Sequence, residues 1–477
     1  HPREAAPWWL LASCQRQVGE GPASVESVAR FADLSAKDAA ALARCAEFCL
    51  GAGDTAQATR RFEQARAAGL PPARARWLEG RILFEDGYAQ ESIEAYCEAV
   101  RLEPALGEAH APRPMEAWIV SLPDWARANG QACPVVSEPH LLEIPPPKVL
   151  PENEAHYWPM AGGKVPAVFV ATLPDAQVVS PEYVVVTADG CCCFEGFVSS
   201  PGVMPQKTWL VKYTSTEDRV LLDLPPIALE IDEPCVLLGR SNNYFHFLVE
   251  SLPRIASIEH TGIGAGCRVL VPADLYPSQL QLLAWLGYPE ERLIRVPPTA
   301  TVRCRVLHAP SMLSLGYVVS PRAVAFLRER LIRKAMAALD QSDKLPPRVY
   351  LSRNRMPKRH VTNEAEVLAC LAKHGFETVY PEELDVAQQI ALFARARAIL
   401  SPDSSALANA VFASPGADVG IMNWRGIYRP LWHGLAHQAG ARTTYLHADP
   451  QVESHPVPAQ RDLRIDTTLL EQWLAGL

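Results

Sequence analysis

Two stretches far apart in this chain of 477 residues hold side chains of the kinds that do chemistry. The first is Asn242-Asn243-Tyr244-Phe245-His246-Phe247-Leu248-Val249-Glu250-Ser251-Leu252-Pro253-Arg254. In a helix beginning near Asn243, His246 and Glu250 stand four apart on one face, while Phe247 and Ile255 follow a different, core-seeking stripe. Histidine titrates near neutral pH, so His246 can take a proton from an attacking hydroxyl. Glu250, one turn on, either holds the imidazole tautomer or is itself the base. A lone His–Glu pair on a helix is also a common structural feature, and this segment alone leaves both readings open.

The second stretch runs from Arg348 to Met422. A strand, Arg348-Val349-Tyr350-Leu351-Ser352, passes into the loop Arg353-Asn354-Arg355-Met356-Pro357-Lys358-Arg359, giving five basic residues in twelve positions with no acid. Cations at the carboxyl end of a strand match the place where open α/β sheets bind ligands. Further on, Ser401-Pro402-Asp403-Ser404-Ser405-Ala406 turns into a helix, whose first N–H groups are free and lie at its positive end. Ser404 and Ser405 add hydroxyl donors, and Arg353 and Arg359 can make charge-assisted bonds to phosphate oxygens. A diphosphate is the anion this combination suits. The bland readings are a solvated surface loop for the arginines and simple helix capping for Asp403.

Several other chemistries are disfavoured. No G-x-G-x-x-G follows a strand, and there is neither a phosphate-loop signature nor a G-x-S-x-G elbow. The net charge of −8 argues against a general nucleic-acid binder. The 12 cysteines never take the paired C-x-x-C spacing of a structural zinc site, and Cys191-Cys192-Cys193 would project alternately from a strand. Buried thiols in a reducing cytosol are the expectation. No run approaches the roughly 20 apolar residues of a membrane helix, so no transmembrane segment is expected. A cytoplasmic place is, with peripheral attachment at an inner membrane as an option.

The elements that must hold these stretches read as follows. Gly53, Ala58, Phe62 and Ala65 recur as Gly87, Ser92, Tyr96 and Ala99, each 34 positions later. That period matches the tetratricopeptide repeat, with Trp8 to Ala39 as a degenerate leading unit. Such a module either captures a partner on its concave face or packs against the rest. Residues 113–150, proline-rich around Pro145-Pro146-Pro147, read as an extended connector. Beyond it, strand signals alternate with helical stretches through Pro321–Leu339. After the polar stretch Gln341–Pro347, a hinge candidate, the alternation resumes to a terminal helix Thr467–Leu474. Alternating strands and helices imply parallel sheets. Asn363 with Glu366 three residues on suggests a capping box at one helix start.

Asn243-Tyr244-Phe245-His246-Phe247 through Glu250-Ser251-Leu252-Pro253-Arg254 resembles the N-x-x-H-[FW]…LPR segment of the family-61 glycosyltransferases. Leu351-Ser352-Arg353, Arg359, Asn363-Glu364, Gln389 and Asn409-x-x-Phe412 resemble that family's second block. The resemblance covers roughly Ala167 to Leu474. It implies two Rossmann-like domains of the GT-B type behind an all-α repeat domain: residues 1–112 as repeats, 113–150 as linker, 151–340 on the acceptor side and 341–477 on the donor side. It implies an inverting transferase with a nucleotide-sugar donor, a UDP-sugar being favoured, and no further cofactor. His246 and Glu250 are then the expected catalytic pair. Arg353, Arg359, Asn363, Glu382, Asp403, Ser404, Ser405 and Asn409 form the donor set, and Asn242, Asn243 and Arg254 lie on the acceptor side. Many members carry a Gly-Pro-His-Gly-Ala-like run where this chain has Ser401-Pro402-Asp403-Ser404-Ser405, so either the donor differs or Asp403 has another job. With no Asp-x-Asp triplet, no metal is expected on the diphosphate. The expected acceptor is a hydroxyl of a cell-surface polysaccharide or of a protein held by the repeats. The alternative is a non-catalytic, repeat-bearing scaffold with a degenerate transferase domain.

Overall fold

The computed structural model describes residues 5–17, 21–51, 54–85, 89–103, 113–152, 162–193, 211–216, 219–239, 243–315, 317–340, 345–424, 430–455 and 460–477. Two compact units divide the chain. One comprises His1–Val120, Asp189–Cys192 and Met204–Ile227, the other Ser121–Ala188, Cys193–Val203 and Ala228–Leu477.

In the first unit the described helices are α1 (Ala5–Gln17), α2 (Gly21–Leu34), α3 (Ala39–Gly51), α4 (Thr55–Ala67), α5 (Pro72–Glu85) and α6 (Ala89–Leu102). They pack as consecutive pairs, α1 with α2, α3 with α4 and α5 with α6. The recurring positions explain the pairing: Ala58, Phe62 and Ala65 of α4 and Ser92, Tyr96 and Ala99 of α6 are all buried. Ser92 Oγ donates to Gly80 O at 2.8 Å. A Cβ on Gly80 would sit 3.2 Å from the Tyr96 ring, so a larger residue would have to push that ring back by a few tenths of an ångström. Gly53 and Gly87 lie outside the described residues. The leading pair is held by aromatics, with Trp9 5.2 Å from Phe31 and 5.7 Å from Phe48 between ring centroids. A three-stranded antiparallel ribbon completes the unit. Its strand Arg113–Val120 pairs with Arg219–Leu224, which pairs in turn with Val211–Thr216.

That strand departs from the expected extended connector, and so does the rest of 113–150. Ser121 caps a helix at Leu122–Ala128, and β1 (Lys148–Leu150) joins a sheet far along the chain. Proline density was a poor guide here, because apolar residues such as Val149 and Leu150 gain burial by pairing.

The second unit is built on two sheets. The first contains β2 (Val168–Val179), β3 (Val184–Val186), β4 (Cys235–Leu237), β5 (Arg268–Pro272), β6 (Leu293–Val296) and β7 (Thr301–Pro310) in the order β6-β5-β4-β7-β2-β3. The strands β6, β5, β4 and β7 are parallel, whereas β2 and β3 continue the sheet antiparallel. The sheet is therefore mixed where a wholly parallel one was expected. Helices α7 (Arg254–Thr261), α8 (Pro277–Trp285) and α9 (Pro321–Ala338) belong to this half of the sequence.

The second sheet contains β8 (Arg348–Leu351), β9 (Glu377–Val379), β10 (Ala398–Pro402), β11 (Asp418–Trp424), β12 (Arg442–Gln451) and β13 (Asp462–Ile465). Between them run α10 (Glu364–Ala372), α11 (Val386–Arg395) and α12 (Leu431–Gln438), and α13 (Thr467–Leu474) closes the chain. The order β9-β8-β10-β11-β12 is parallel, β13 adds antiparallel, and β1 pairs parallel with β12.

Of the hinge candidate, residues 341–344 lie outside the described residues. The elements on either side of it share one buried core, in which Leu327 and Leu331 of α9 join Val349, Ile390, Leu407 and Leu435. Arg328 of α9 donates to Val411 O at 2.7 Å and Ala413 O at 2.9 Å. By packing, α9 thus belongs with the second sheet although it precedes the polar stretch.

Candidate active site

The two sheets place their chemistry by the same rule. Among the parallel strands of the first sheet, numbered by chain position, the order is 3-2-1-4: the chain builds outward from β4 through β5 to β6 and then crosses back to place β7 on the other side of β4. Ligands bind at such a switch point, outside the carboxyl ends of the strands. The chain leaving β4 there is pinched: a Cβ on Gly239 would meet Pro272 at 2.6 Å and Val271 at 2.8 Å. Gly239 N instead donates to Leu270 O at 2.7 Å. The chain then forms a turn of π-helix, His246–Ser251, where an ordinary α-helix was expected. The wider turn still brings positions four apart together. His246 Nδ1 lies 3.0 Å from Glu250 Oε2, with the Glu250 side chain 9% exposed and the His246 side chain 43% exposed. An ionised Glu250 makes Nδ1 the donor, which leaves Nε2 as the acceptor nitrogen. π-turns of this sort recur at functional sites.

In the second sheet the parallel order is 2-1-3-4-5, with the switch between β8 and β10. The cationic loop leaves β8 and the Asp403–Ser405 turn leaves β10, so two segments 50 residues apart meet at one sheet edge. Arg359 is held at φ 63, a left-handed conformation unusual for a side chain of this size. From there its Nη1 donates to Asp403 O at 3.1 Å. The Arg353 guanidinium is pushed down to about 10, first by burial and then by Arg359, while Asp403 and Glu382 pull it back up. Its Nε is buried without an acceptor among the described residues. Two guanidiniums therefore stand close on the same ground, with Asp403 and Glu382 near enough to act on Arg353. Ser404 is buried and Ser405 half-buried where a 3₁₀-helix, Ser405–Phe412, begins. That helix replaces the expected α-helix, and it still directs its first N–H groups towards the strand ends.

Trp432, on α12, joins the two places. Its Nε1 donates to Asp403 Oδ1 at 2.6 Å, and its ring meets Phe245 edge-on at 5.5 Å between centroids. Phe245 in turn meets the His246 ring at 5.1 Å. A chain of contacts thus runs from the candidate base, through Phe245 and Trp432, to Asp403 and Arg359. Beside it Tyr244 OH donates to Asn409 Oδ1 at 2.7 Å, and burial pushes the Tyr244 hydroxyl well above its ordinary value. The job of Asp403 is now visible: its carboxylate satisfies a buried indole and its carbonyl positions Arg359.

Not every expected residue faces this ground. Asn409 is buried, with its oxygen taken by Tyr244 and its Nδ2 3.4 Å from Gln389 Oε1, so it braces the turn from behind. Asn363 makes no capping bond. It donates to Ile465 O at 2.9 Å and accepts from Ile465 N at 3.1 Å, clamping β13. Its Nδ2 also donates to Glu366 at 3.0 Å, so the capping box is replaced by a side-chain pair. Both Asn363 and Asn409 thus spend hydrogen bonds internally, on Ile465 and Glu366 and on Tyr244. Arg254 is likewise buried, reaching Leu237 O at 3.5 Å and lining a small interior cavity with Glu182 and Tyr183. Asn243 is exposed, and its Oδ1 accepts from Phe245 N at 3.0 Å, which starts the helical turn. Asn242 lies outside the described residues. Glu382, exposed on the 3₁₀-turn Pro381–Glu383 after β9, is close enough to act on Arg353. Of the other loop cations, Arg355 is taken by Glu383 and by the Tyr380 ring, 3.5 Å from its centroid.

Trp432 was not anticipated. The one available signal was that a buried indole needs an acceptor and Asp403 is a short acidic side chain in a turn, but nothing local links positions 29 residues apart. Among the described residues no group of three or more His, Cys, Asp or Glu could hold a metal ion. No described helix is long and apolar enough to cross a membrane.

Comparison with known proteins adds the following. No curated protein matches the chain. Among solved structures it is similar to MamA (18% identity, 23% of this chain and 63% of that one, TM-score 0.20). It is similar to MamA from Desulfovibrio magneticus (24%, 21% and 58%, TM-score 0.19) and to a mutant O-GlcNAc transferase from Thermobaculum terrenum (12%, 93% and 57%, TM-score 0.22). The chain spans less than two thirds of the length of each. Residues 244–420, which take in both His246–Glu250 and the Arg353–Asp403 ground, match the family described as Glycosyltransferase 61, and that match supports a glycosyltransferase.

Proposed function

We propose that the protein is an inverting, metal-independent glycosyltransferase that moves a sugar from a nucleotide-diphosphate donor, a UDP-sugar by preference, to an acceptor hydroxyl. One observation carries the reading: a half-buried pair of neighbouring arginines at one switch point, tied through Asp403, Trp432 and Phe245 to a polarised histidine at the other. In this scheme Arg353, Arg359 and the N–H and hydroxyl groups of Ser404 and Ser405 hold the diphosphate, and Glu382 flanks it. The second sheet with α9 forms the donor side, and the first sheet forms the acceptor side.

His246 Nε2 takes the acceptor proton as the hydroxyl oxygen bonds to the anomeric carbon. The bond from that carbon to the diphosphate oxygen breaks, and the diphosphate leaves with the electron pair. Glu250 holds Nδ1–H and stabilises the imidazolium formed. The arginines balance charge on the leaving diphosphate, as fixed dipoles and cations do where negative charge develops. The helix pairs of the first unit are offered as a surface for the acceptor's carrier. A reducing, cytoplasmic setting is supported by buried thiols such as Cys45, which burial pushes up to about 12.

Thermal shift with a panel of nucleotide sugars tests the reading, because a ligand that binds only the native state must raise apparent stability. A shift with at least one UDP-sugar, lost in Arg353→Ala, is expected. Donor binding that is unchanged in Arg353→Ala by calorimetry sinks the assignment.

A further inference from the structure

Next to the arginine ground a second concavity opens, and of its lining residues the scheme above uses Glu382 alone. It is a cleft of about 710 Å³ between the start of α8 and the turn that leads into α11. That volume falls within the roughly 300–1,000 Å³ typical of small-molecule sites. On one wall Ser278, Gln281 and Trp285 share a face of α8, at i, i+3 and i+7, with Tyr276 just ahead of them. On the other stand Glu382 and Asp385.

The chemistry of this lining is specific. Tyr276 is 57% exposed, an aromatic surface that burial elsewhere in the fold does not claim. Trp285 is half-buried, with its ring lining the same space. Among the described residues lining the cleft there is no Lys, Arg or His, and two carboxylates face it, so a phosphate or carboxylate ligand would be repelled. Asp385 spends one oxygen capping α11, accepting from Gln388 N at 2.8 Å. Aromatic faces beside carboxylate, amide and hydroxyl groups are what a neutral sugar needs. Its C–H faces stack on the rings, and its hydroxyls donate to carboxylates and exchange hydrogen bonds with amides. Glu382 fixes the position of the cleft, since it both lines it and acts on Arg353.

We infer that this cleft is a binding subsite for a neutral saccharide chain, the acceptor of the transfer. The acceptor role rests on the transferase reading, whereas saccharide binding by the cleft does not. Saturation-transfer NMR with cellotetraose, xylotetraose, maltotetraose and chitotetraose, and with spermidine as a cationic probe, tests it without any donor. At least one tetrasaccharide should bind the full chain, and Tyr276→Ala should weaken that binding at least ten-fold with an unchanged melting temperature. Binding by none of the four, binding that survives both Tyr276→Ala and Gln281→Ala, or selective binding of spermidine overturns the inference. The two failures are separable. UDP-sugar shifts without tetrasaccharide binding remove the cleft proposal alone. Tetrasaccharide binding without any nucleotide-sugar shift removes the transferase reading and leaves a saccharide site.

Discussion

The second sheet carries arginines at both of its ends, and their surroundings are opposite. At the amino ends of β8, β10, β11 and β12 lie Arg348, Arg397 and Arg442, with Arg395 close by. Arg442 makes two bonds to Asp418, its cross-strand neighbour, at 2.8 and 2.6 Å, and its guanidinium is pushed up by that contact. Arg348 donates to His374 O beyond the end of α10, and Arg395 sits in the last turn of α11. This is the edge where helices end, and cations there meet carbonyls and the negative end of the dipole. At the carboxyl ends Arg353 and Arg359 meet helix starts and each other, and Arg353 is pushed down. The same residue type is thus paired with a carboxylate at one edge and set beside a second guanidinium at the other. Counting arginines would rank the edges alike; their partners separate them.

That contrast can be broken in four ways. The largest effect is expected from the group facing the carboxyl edge. His246→Ala should lower kcat by about 10²–10⁴ in steady-state transfer assays, as loss of a general base does, with donor affinity unchanged. A parallel loss of donor affinity would move His246 out of the base role. Next, Arg353→Ala should weaken donor binding by calorimetry about 30- to 150-fold, from roughly 2–3 kcal/mol of charge-assisted bonding. Arg442→Ala should leave it unchanged, and equal effects would erase the distinction between the edges.

A smaller effect concerns stability. Asp403→Ala strands the buried Trp432 Nε1 and should cost about 1–3 kcal/mol in urea unfolding, whereas Asp418→Ala, which breaks a pair with a largely exposed arginine, should cost about 0–1 kcal/mol. Equal costs would deny Asp403 its bracing role. The smallest effect is on pH. Arg353, pushed down to about 10, stays charged throughout the acid range, so acid sensitivity falls to other groups. His433, whose Nε2 meets Pro145 O at 2.6 Å, and His308 are both pushed down, chiefly by burial. Below the ordinary histidine value of about 6.5 the unfolded chain takes up protons that the native state refuses. The melting temperature should be flat above that pH and fall below it, with a shallower fall in His433→Gln. An unaltered fall in that variant assigns the sensitivity elsewhere.

Much of this was legible in the sequence. The alternation from Arg348 to Leu474 was readable because the helices and strands there carry their own periodicity, and the His246–Glu250 contact followed from spacing alone. The match of residues 244–420 agrees with the resemblance read from two separated blocks. The strand at 113–120, the pairing of β1 with β12 and the antiparallel β2 and β3 were not readable, since pairing partners lie up to hundreds of residues away. Asn363 and Asn409 looked like site residues because a polar type in a motif does not reveal which side of the turn it faces.

What the sequence determined by itself was the local chemistry: a histidine one turn from a glutamate, a cationic loop after a strand, and a hydroxyl-rich turn opening a helix. Tertiary structure alone decided that Trp432 would take up Asp403, that Arg353 would be half-buried beside Arg359 while Arg442 found Asp418, and that the two switch points would be joined. The physical reason is that charge and hydrogen-bonding capacity are fixed by residue type, whereas how they are satisfied depends on which distant segments the fold brings within hydrogen-bonding reach.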